Sequence, residues 1–257
     1  MGLKITDLLV ANYMTAFPIS VQPKASFREA VDFMMSKGIG TLIVMEPENP
    51  IPIGLLTERE VLEHTIFARG MPNKQVKEVF LQPFIKISPD TTILDAAKTM
   101  ISKKSRLLVF ADDDKLVGII TASDMVRAFR KTDYAPSLNN VISTKIYKCE
   151  YDDSILNATK SMHEKRIGSI VVTREGSEEG IFTERDLLTK VLANNVDMNL
   201  PVWGYSSFPI ITADVKISTK GAAGVMAANN IKRLVLTRDN KPVGVVTARD
   251  IVDAFQM

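Results

Sequence analysis

Four threonines in this 257-residue chain each stand three residues after a glycine and three before a carboxylate. The copies are Gly54-x-x-Thr57-x-x-Glu60, Gly118-x-x-Thr121-x-x-Asp124, Gly180-x-x-Thr183-x-x-Asp186 and Gly244-x-x-Thr247-x-x-Asp250. A threonine just ahead of a helix lies where unpaired backbone N–H groups and the positive end of the helix dipole meet, which suits a phosphate. An ionised carboxylate three residues on accepts from two vicinal hydroxyls. That arrangement is nucleotide-shaped. The same spacing is also a capping box, which satisfies the first helical N–H groups and contributes about 1 kcal/mol without any ligand. The motif alone supports both readings.

Other chemistry is sparse. One cysteine, Cys149, and two separated histidines, His64 and His163, cannot assemble a disulfide framework or a Cys/His zinc site. Cys149 falls at a strand position that reads as core, and both histidines fall on helices away from a partner. The run Asp112-Asp113-Asp114 lacks the spaced ligands and glycine of a calcium loop and reads as a hairpin turn. There is no nucleophile paired with a base and no Gly-Lys-Ser/Thr phosphate loop, so no catalysis is expected.

The elements that must position the motifs follow from a repeat. The motif glycines are 64, 62 and 64 residues apart, and an Ala-x-x-x-Met pair precedes each one: Ala30/Met34, Ala96/Met100, Ala158/Met162 and Ala222/Met226. Residues i and i+4 share one helix face, so each pair marks the buried side of a first helix. The apolar runs 41–45, 107–110, 169–172 and 234–236 then read as buried strands, each followed by a polar turn and a second strand ending at the motif. After each threonine, apolar residues at +4 and +5 recur, joined at +8 by Phe129, Val191 and Phe255, and mark a second helix. With extended stretches at Phe17 to Val21, Phe84 to Ile87, Ile146 to Cys149 and Phe208 to Thr212, each copy reads β-α-β-β-α.

Copies one and three share Ile-Gly-Thr/Ser before the strand and Thr-Glu-Arg at the motif, with a long last helix; copies two and four carry Thr-Ala and a short one. The duplicated unit was therefore a pair, and the turn formers of 131–140 mark its boundary. The expected domains are 1–70, 71–132, 133–196 and 197–257.

Composition places the chain among ordinary globular proteins, with 46% apolar and 24% charged residues. A formal charge of +2 marks neither a nucleic-acid binder nor an anionic-membrane binder. No apolar stretch approaches the roughly 18 residues of a membrane span, and the start lacks a signal-peptide core, so a cytoplasmic location is expected. Gly2 and Thr6 match a myristoylation pattern, but one so short arises by chance, and the stretch reads as an amphipathic lead-in around Leu8-Leu9-Val10.

In these motifs the sequence resembles four cystathionine-β-synthase (CBS) domains in two tandem pairs, or Bateman modules, over nearly its whole length. The resemblance implies an α/β (α+β) fold of four β-α-β-β-α repeats packed as two pseudo-twofold pairs. It implies a regulatory protein whose clefts bind adenosyl ligands: AMP, ADP, ATP or S-adenosylmethionine. In such clefts the motif Asp holds ribose and the Thr touches phosphate, which assigns Thr247 and Asp250, Thr121 and Asp124, Thr183 and Asp186, and Thr57.

Copy one departs from the pattern because Glu60 replaces Asp. Copy four is the most complete, since a gapless alignment puts Lys232-Arg233 where relatives carry basic residues facing phosphates; Arg106 keeps the first of these positions in copy two and Leu107 loses the second. Trp203-Gly204-Tyr205, peculiar to copy four, would seal a module interface or stack on adenine. Apolar helix faces, including Val126, Phe129, Val252 and Phe255, exceed what one module buries and predict a disc, either within one chain or as a homodimer. The expected function is a sensor that signals to a protein partner; a ligand-free interaction scaffold is the alternative.

Overall fold

The computed structural model describes residues 4–49, 51–111 and 114–256; Gly2, Asp112 and Asp113 lie outside them. In chain order the elements are β1 (Thr15–Ala16), β2 (Ser20–Val21), α1 (Phe27–Ser36), β3 (Thr41–Val44), β4 (Gly54–Thr57), α2 (Glu58–Ala68), β5 (Phe84–Ile87), α3 (Ile93–Ser102), β6 (Arg106–Phe110), β7 (Leu116–Ile120) and α4 (Ala122–Phe129). The second half follows with β8 (Lys148–Glu150), α5 (Ile155–Glu164), β9 (Ser169–Arg174), β10 (Ser177–Thr183), α6 (Glu184–Asp186, continued as a π-helix over Leu187–Leu192), β11 (Thr212–Asp214), α7 (Thr219–Ala228), β12 (Arg233–Arg238), β13 (Lys241–Thr247) and α8 (Ala248–Ala254).

Each copy is the expected β-α-β-β-α unit. Its first strand runs parallel to the second, the second and third form an antiparallel hairpin, and the helices flank them. Every first helix starts on a hydroxyl cap: Ser26, Thr92, Ser154 and Ser218 each accept from the backbone N–H three residues on. The Ala-x-x-x-Met residues of all copies are buried. Asp114 sits in the turn of its hairpin at φ +60° and meets Lys86 at 2.9 Å.

The lead-in segments differ from the sequence reading. Phe17 to Val21 is not one strand, because Phe17 turns into the left-handed region at φ +50° and only Ser20–Val21 pairs with β3. Thr15–Ala16 instead joins β7 of copy two. The other lead-ins behave alike: Gln82 bridges Leu55, Ser143 bridges Val245 and Ser207 bridges Ile181. In copy four, Phe208 stays outside the strand, which begins at Thr212. Each crossing passes over a motif glycine. A Cβ at Gly54, Gly118, Gly180 or Gly244 would overlap Leu81, Met14, Phe208 or Ile142, so glycine is required there by close approach.

The chain divides into two compact units, and each crossing lies within one of them. Met1–Pro18, Pro83–Ile146 and Ile211–Met257 form the even unit, holding copies two and four; Ile19–Gln82 and Tyr147–Ile210 form the odd unit, holding copies one and three.

In the even unit, α4 and α8 pack face to face. The rings of Phe129 and Phe255 stack at 4.1 Å with Tyr134 edge-on, and Val126 and Val252 are buried beside them. In the odd unit, Val61, Leu62, Leu187, Leu188 and Val191 are buried in one core. Reciprocal ion pairs flank that core: Arg59 meets Glu184 at 3.1 Å and Arg185 meets Glu58 at 3.3 Å. The Thr-Glu-Arg of the odd copies thus serves their mutual contact. Gly40 is part of the same arrangement, since a Cβ there would collide with the Glu58 carboxylate.

Phe255 is 5% exposed and Phe67 78% exposed. Phe255→Ala should therefore cost about 3 kcal/mol or more, and Phe67→Ala less than about 0.5 kcal/mol, in urea denaturation followed by circular dichroism. Equal losses would contradict the stacked-helix core.

Candidate functional site

In every copy the motif threonine ends the hairpin and caps the second helix, and one carboxylate oxygen accepts twice from it. In copy four, Asp250 Oδ2 accepts from the Thr247 N–H and hydroxyl, both at 2.7 Å. In copy two, Asp124 Oδ2 accepts at 2.7 and 2.6 Å from Thr121, and in copy three Asp186 Oδ2 accepts at 2.9 and 2.6 Å from Thr183. In copy one, Glu60 Oε2 accepts from the Thr57 N–H at 2.9 Å and from its hydroxyl. The capping box is complete four times over, and any further role rests on the other oxygen.

That second oxygen differs from copy to copy. Glu60 Oε1 accepts from the Gln82 side chain at 2.8 Å. Asp186 Oδ1 accepts from the Ser207 hydroxyl at 2.8 Å and from the Lys190 ammonium at 2.7 Å, while Lys190 also holds the Ser206 carbonyl at 2.7 Å. Gln82 and Ser207 are the residues that bridge the hairpins of copies one and three, so the crossing segment delivers a donor to each odd carboxylate. The even crossings deliver none. Asp124 Oδ1 meets the Arg127 guanidinium at 2.6 Å, and Arg127 is 57% exposed. Asp250 Oδ1 has no hydrogen-bonding partner among the described residues. Glu60, Asp124 and Asp186 are buried, whereas Asp250 is partly exposed.

Burial raises the Asp250 carboxyl above its ordinary 3.8, with Asp253 adding to the rise, against the Thr247 hydrogen bonds and Arg249, which lower it. Its ionised form is thus under-solvated, and two hydroxyl donors would relieve that.

Strand register places the basic candidates. Arg233 begins β12 directly opposite Thr247, and the Lys232 carbonyl accepts from the Ala248 N–H at 3.0 Å. Leu107 pairs with Ile120 as Leu234 pairs with Val246, so Arg106 matches Arg233 and not Lys232. The gapless alignment fails there because six residues separate Met100 from Arg106, where seven separate Met226 from Arg233. Arg106 therefore lies beside Thr121.

Arg249, which the sequence reading passed over, reaches from copy four to the Met100 carbonyl of copy two at 2.8 Å. Burial, and next the positive charge of Arg106, push its guanidinium below the usual value. Asp250 and Asp253 act in the opposite direction and raise it. Arg127 and Lys190, three and four residues after their motif Asp on the same helix face, were accessible to helical spacing; Gln82 and Ser207 come from other elements and were not.

The remaining candidates fall elsewhere. Trp203 lies against Phe208 at 3.9 Å with the two rings tilted by 43°, and it meets Tyr151 edge-on, with Arg174 over the rings of both Tyr151 and Trp203. His64 packs edge-on against Phe27, and burial lowers its pKa. Among the described residues no group of three His, Cys, Asp or Glu could hold a metal ion, and no helix is long and apolar enough to cross a membrane.

A mixed hairpin-and-helix unit repeated four times, each with a capped Thr–carboxylate motif, defines a class of small paired α/β domain. The CBS domain family model matches residues 10–66, 76–131, 138–193 and 204–256, and the chain belongs to that family. It is 26% identical over 261 residues to the uncharacterised protein MJ1404 of Methanocaldococcus jannaschii, covering 95% of this chain and 61% of that one. It is 27% identical over 187 residues to an uncharacterised 33.4 kDa protein of Thermofilum pendens, covering 68% and 61% of the two chains. The chain thus spans less than two thirds of these relatives. Among solved structures, M. jannaschii MJ1225, described as a candidate archaeal homologue of γ-AMPK, superposes with a TM-score of 0.82 at 19% identity over 96% of this chain and all of that one. An uncharacterised Pyrococcus horikoshii protein gives 0.67 at 21% identity over 96% and 99%. These likenesses concern the fold.

Burial, then Asp153 and Glu150, push the Cys149 thiol up to about 12. At pH 8 it should stay in its protonated, unreactive form. A thiol-reactive dye should label the protein only after urea unfolding; rapid labelling of the folded chain would show that Cys149 is not shielded.

Proposed function

We propose that this chain is a binding protein for an adenosyl ligand, AMP, ADP, ATP or S-adenosylmethionine, that passes its occupancy on to a protein partner. The observation that carries the reading is the Asp250 carboxylate, with one oxygen fixed by Thr247 and the other without a hydrogen-bonding partner among the described residues, beside a helix N-terminus. Copy four would take ribose on Asp250 and phosphate near Thr247, Arg233 and Lys232. Copy two would do so with Thr121, Asp124 and Arg106 once the exposed Arg127 moves aside. Copies one and three are self-satisfied, because Gln82 at Glu60 and Ser207 with Lys190 at Asp186 supply from within the protein the donors that a ligand's hydroxyls would offer. Thr57 and Thr183 then act chiefly as caps. The role is binding, not chemistry, since the motif groups are engaged as caps and acceptors.

A ligand-free scaffold is the second reading, favoured by one observation: the capping box is complete in every copy and accounts for the motif without a ligand.

Calorimetric titration and thermal shift with AMP, ADP, ATP, S-adenosylmethionine and GTP separate the two. An adenosyl compound should bind and raise the melting temperature by mass action. Asp250→Ala removes charge-assisted bonds of about 1.5–3 kcal/mol and should weaken binding about tenfold or more, and Glu60→Ala should leave it unchanged. Because the Asp250 carboxyl is raised, affinity should fall as pH drops through a midpoint above 3.8, where the carboxylate is lost. No heat and no shift at millimolar concentration would favour the scaffold; Glu60→Ala abolishing binding while Asp250→Ala leaves it intact would overturn the ranking of sites.

A further inference from the structure

The even unit concentrates positive charge at a second place. A cavity of about 430 Å³ is lined by Arg127, Arg130, Lys131 and Lys220. The first three follow one another along the end of α4 and the turn beyond it, and Lys220 enters from the first turn of α7.

The frame beneath these cations is fixed by buried hydrogen bonds. The Thr132 hydroxyl donates to the Phe129 carbonyl at 2.8 Å, and the Thr219 hydroxyl donates to the Pro136 carbonyl at 2.9 Å. Thr132 and Thr219 are both buried. The Lys220 ammonium reaches the Thr132 carbonyl at 3.3 Å, so α7 and the segment after α4 are tied together at the cavity wall.

The cations themselves are poorly compensated. Arg127 has a carboxylate partner, Asp124. Lys131 lies over the Tyr13 ring at 5.1 Å, Lys220 has the carbonyl, and Arg130 makes no hydrogen bond or ion pair with a described residue. Four cationic side chains line one cavity, and an anion among them lowers their mutual repulsion. Guanidinium groups offer paired N–H donors matched to phosphate oxygens, and ammonium groups add mobile point charges.

We propose that this cavity binds an oligophosphate group, two or more linked phosphates, carried by a free polyphosphate or by a phosphorylated small molecule. Apart from the Asp124–Arg127 pair three cations remain, more than one phosphate neutralises. The chain's net charge of +2 marks no extended basic field of the kind a polynucleotide needs. This site stands without the adenosyl reading. One consequence does rest on that reading: Arg127 borders the cavity and also holds Asp124 Oδ1, so an anion that draws Arg127 inward would release the second oxygen of copy two.

The test uses base-free sodium tripolyphosphate titrated calorimetrically into the full chain, with ATP and a short RNA duplex as parallel arms. Tripolyphosphate should bind, and its affinity should fall steeply as salt is raised. Arg130→Glu and Lys220→Glu should each weaken it at least tenfold, whereas Lys24→Glu, an exposed change of equal charge in the odd unit, should not. Circular dichroism should show all three variants folded. Failure of tripolyphosphate to bind at millimolar concentration overturns the proposal, as does binding indifferent to both reversals or tighter binding of the duplex. Binding by ATP but not by tripolyphosphate also overturns it and leaves the adenosyl reading standing.

Discussion

A carboxylate on the third residue of a helix has two oxygens, and in this protein the helix claims one of them every time. The motif threonine turns its N–H and its hydroxyl onto the same oxygen in all four copies. This satisfies donors that the helix start would otherwise leave exposed. Capping and ligand binding are therefore not rival explanations of the motif. The cap orients the carboxylate, and the occupant of the second oxygen decides whether anything else can be held there.

That occupant is decided by chain threading. A lead-in segment crosses each hairpin over the motif glycine, which must lack a Cβ for the crossing to close. Where the crossing residue carries a donor long enough or well enough aimed, as Gln82 and Ser207 do, the carboxylate is satisfied internally. Where it is Thr15 or Ser143, the carboxylate is left to a residue of its own helix or to nothing. The crossings tie each lead-in to a hairpin of the same unit, and helix packing and ion pairs join the alternate copies, so glycine, threading and site accessibility are consequences of one arrangement.

Much of this was legible in the sequence because it is local and repeated. The Ala-x-x-x-Met faces, the hairpins, the capping boxes and the burial of Phe129 and Phe255 all follow from periodicities of a few residues, and repetition made each one visible four times. The crossings were not legible. Thr15 pairs with Ile119 and Ser143 with Val245, partners about a hundred residues distant, and two-residue strands carry too little pattern to reveal a register. The position of Arg106 was misread for a related reason, since one residue fewer between helix and strand in copy two shifts a gapless comparison by one place. The donors on the odd carboxylates come from Gln82 and Ser207, about twenty residues along the chain in segments with no helical or strand periodicity to place them, which is why the motif at Asp186 showed no sign of an internal donor.

The odd and even alternation then acquires an electrostatic meaning. At the residue after the motif threonine, the odd copies carry Glu58 and Glu184, and each pairs with the arginine of the opposite copy. The even copies carry Ala122 and Ala248 at that place, and Phe129 against Phe255 supplies the packing instead. Arg249 keeps the arginine position but has lost the acidic residue that would face it. It is held by a backbone carbonyl, and the charges of Arg106, Asp250 and Asp253 act on it. Ala in place of Glu at a single motif position thus accompanies the change from reciprocal ion pairs in the odd unit to stacked rings in the even one. The unit that packs through rings is also the one that holds Asp250, whose second oxygen has no hydrogen-bonding partner among the described residues.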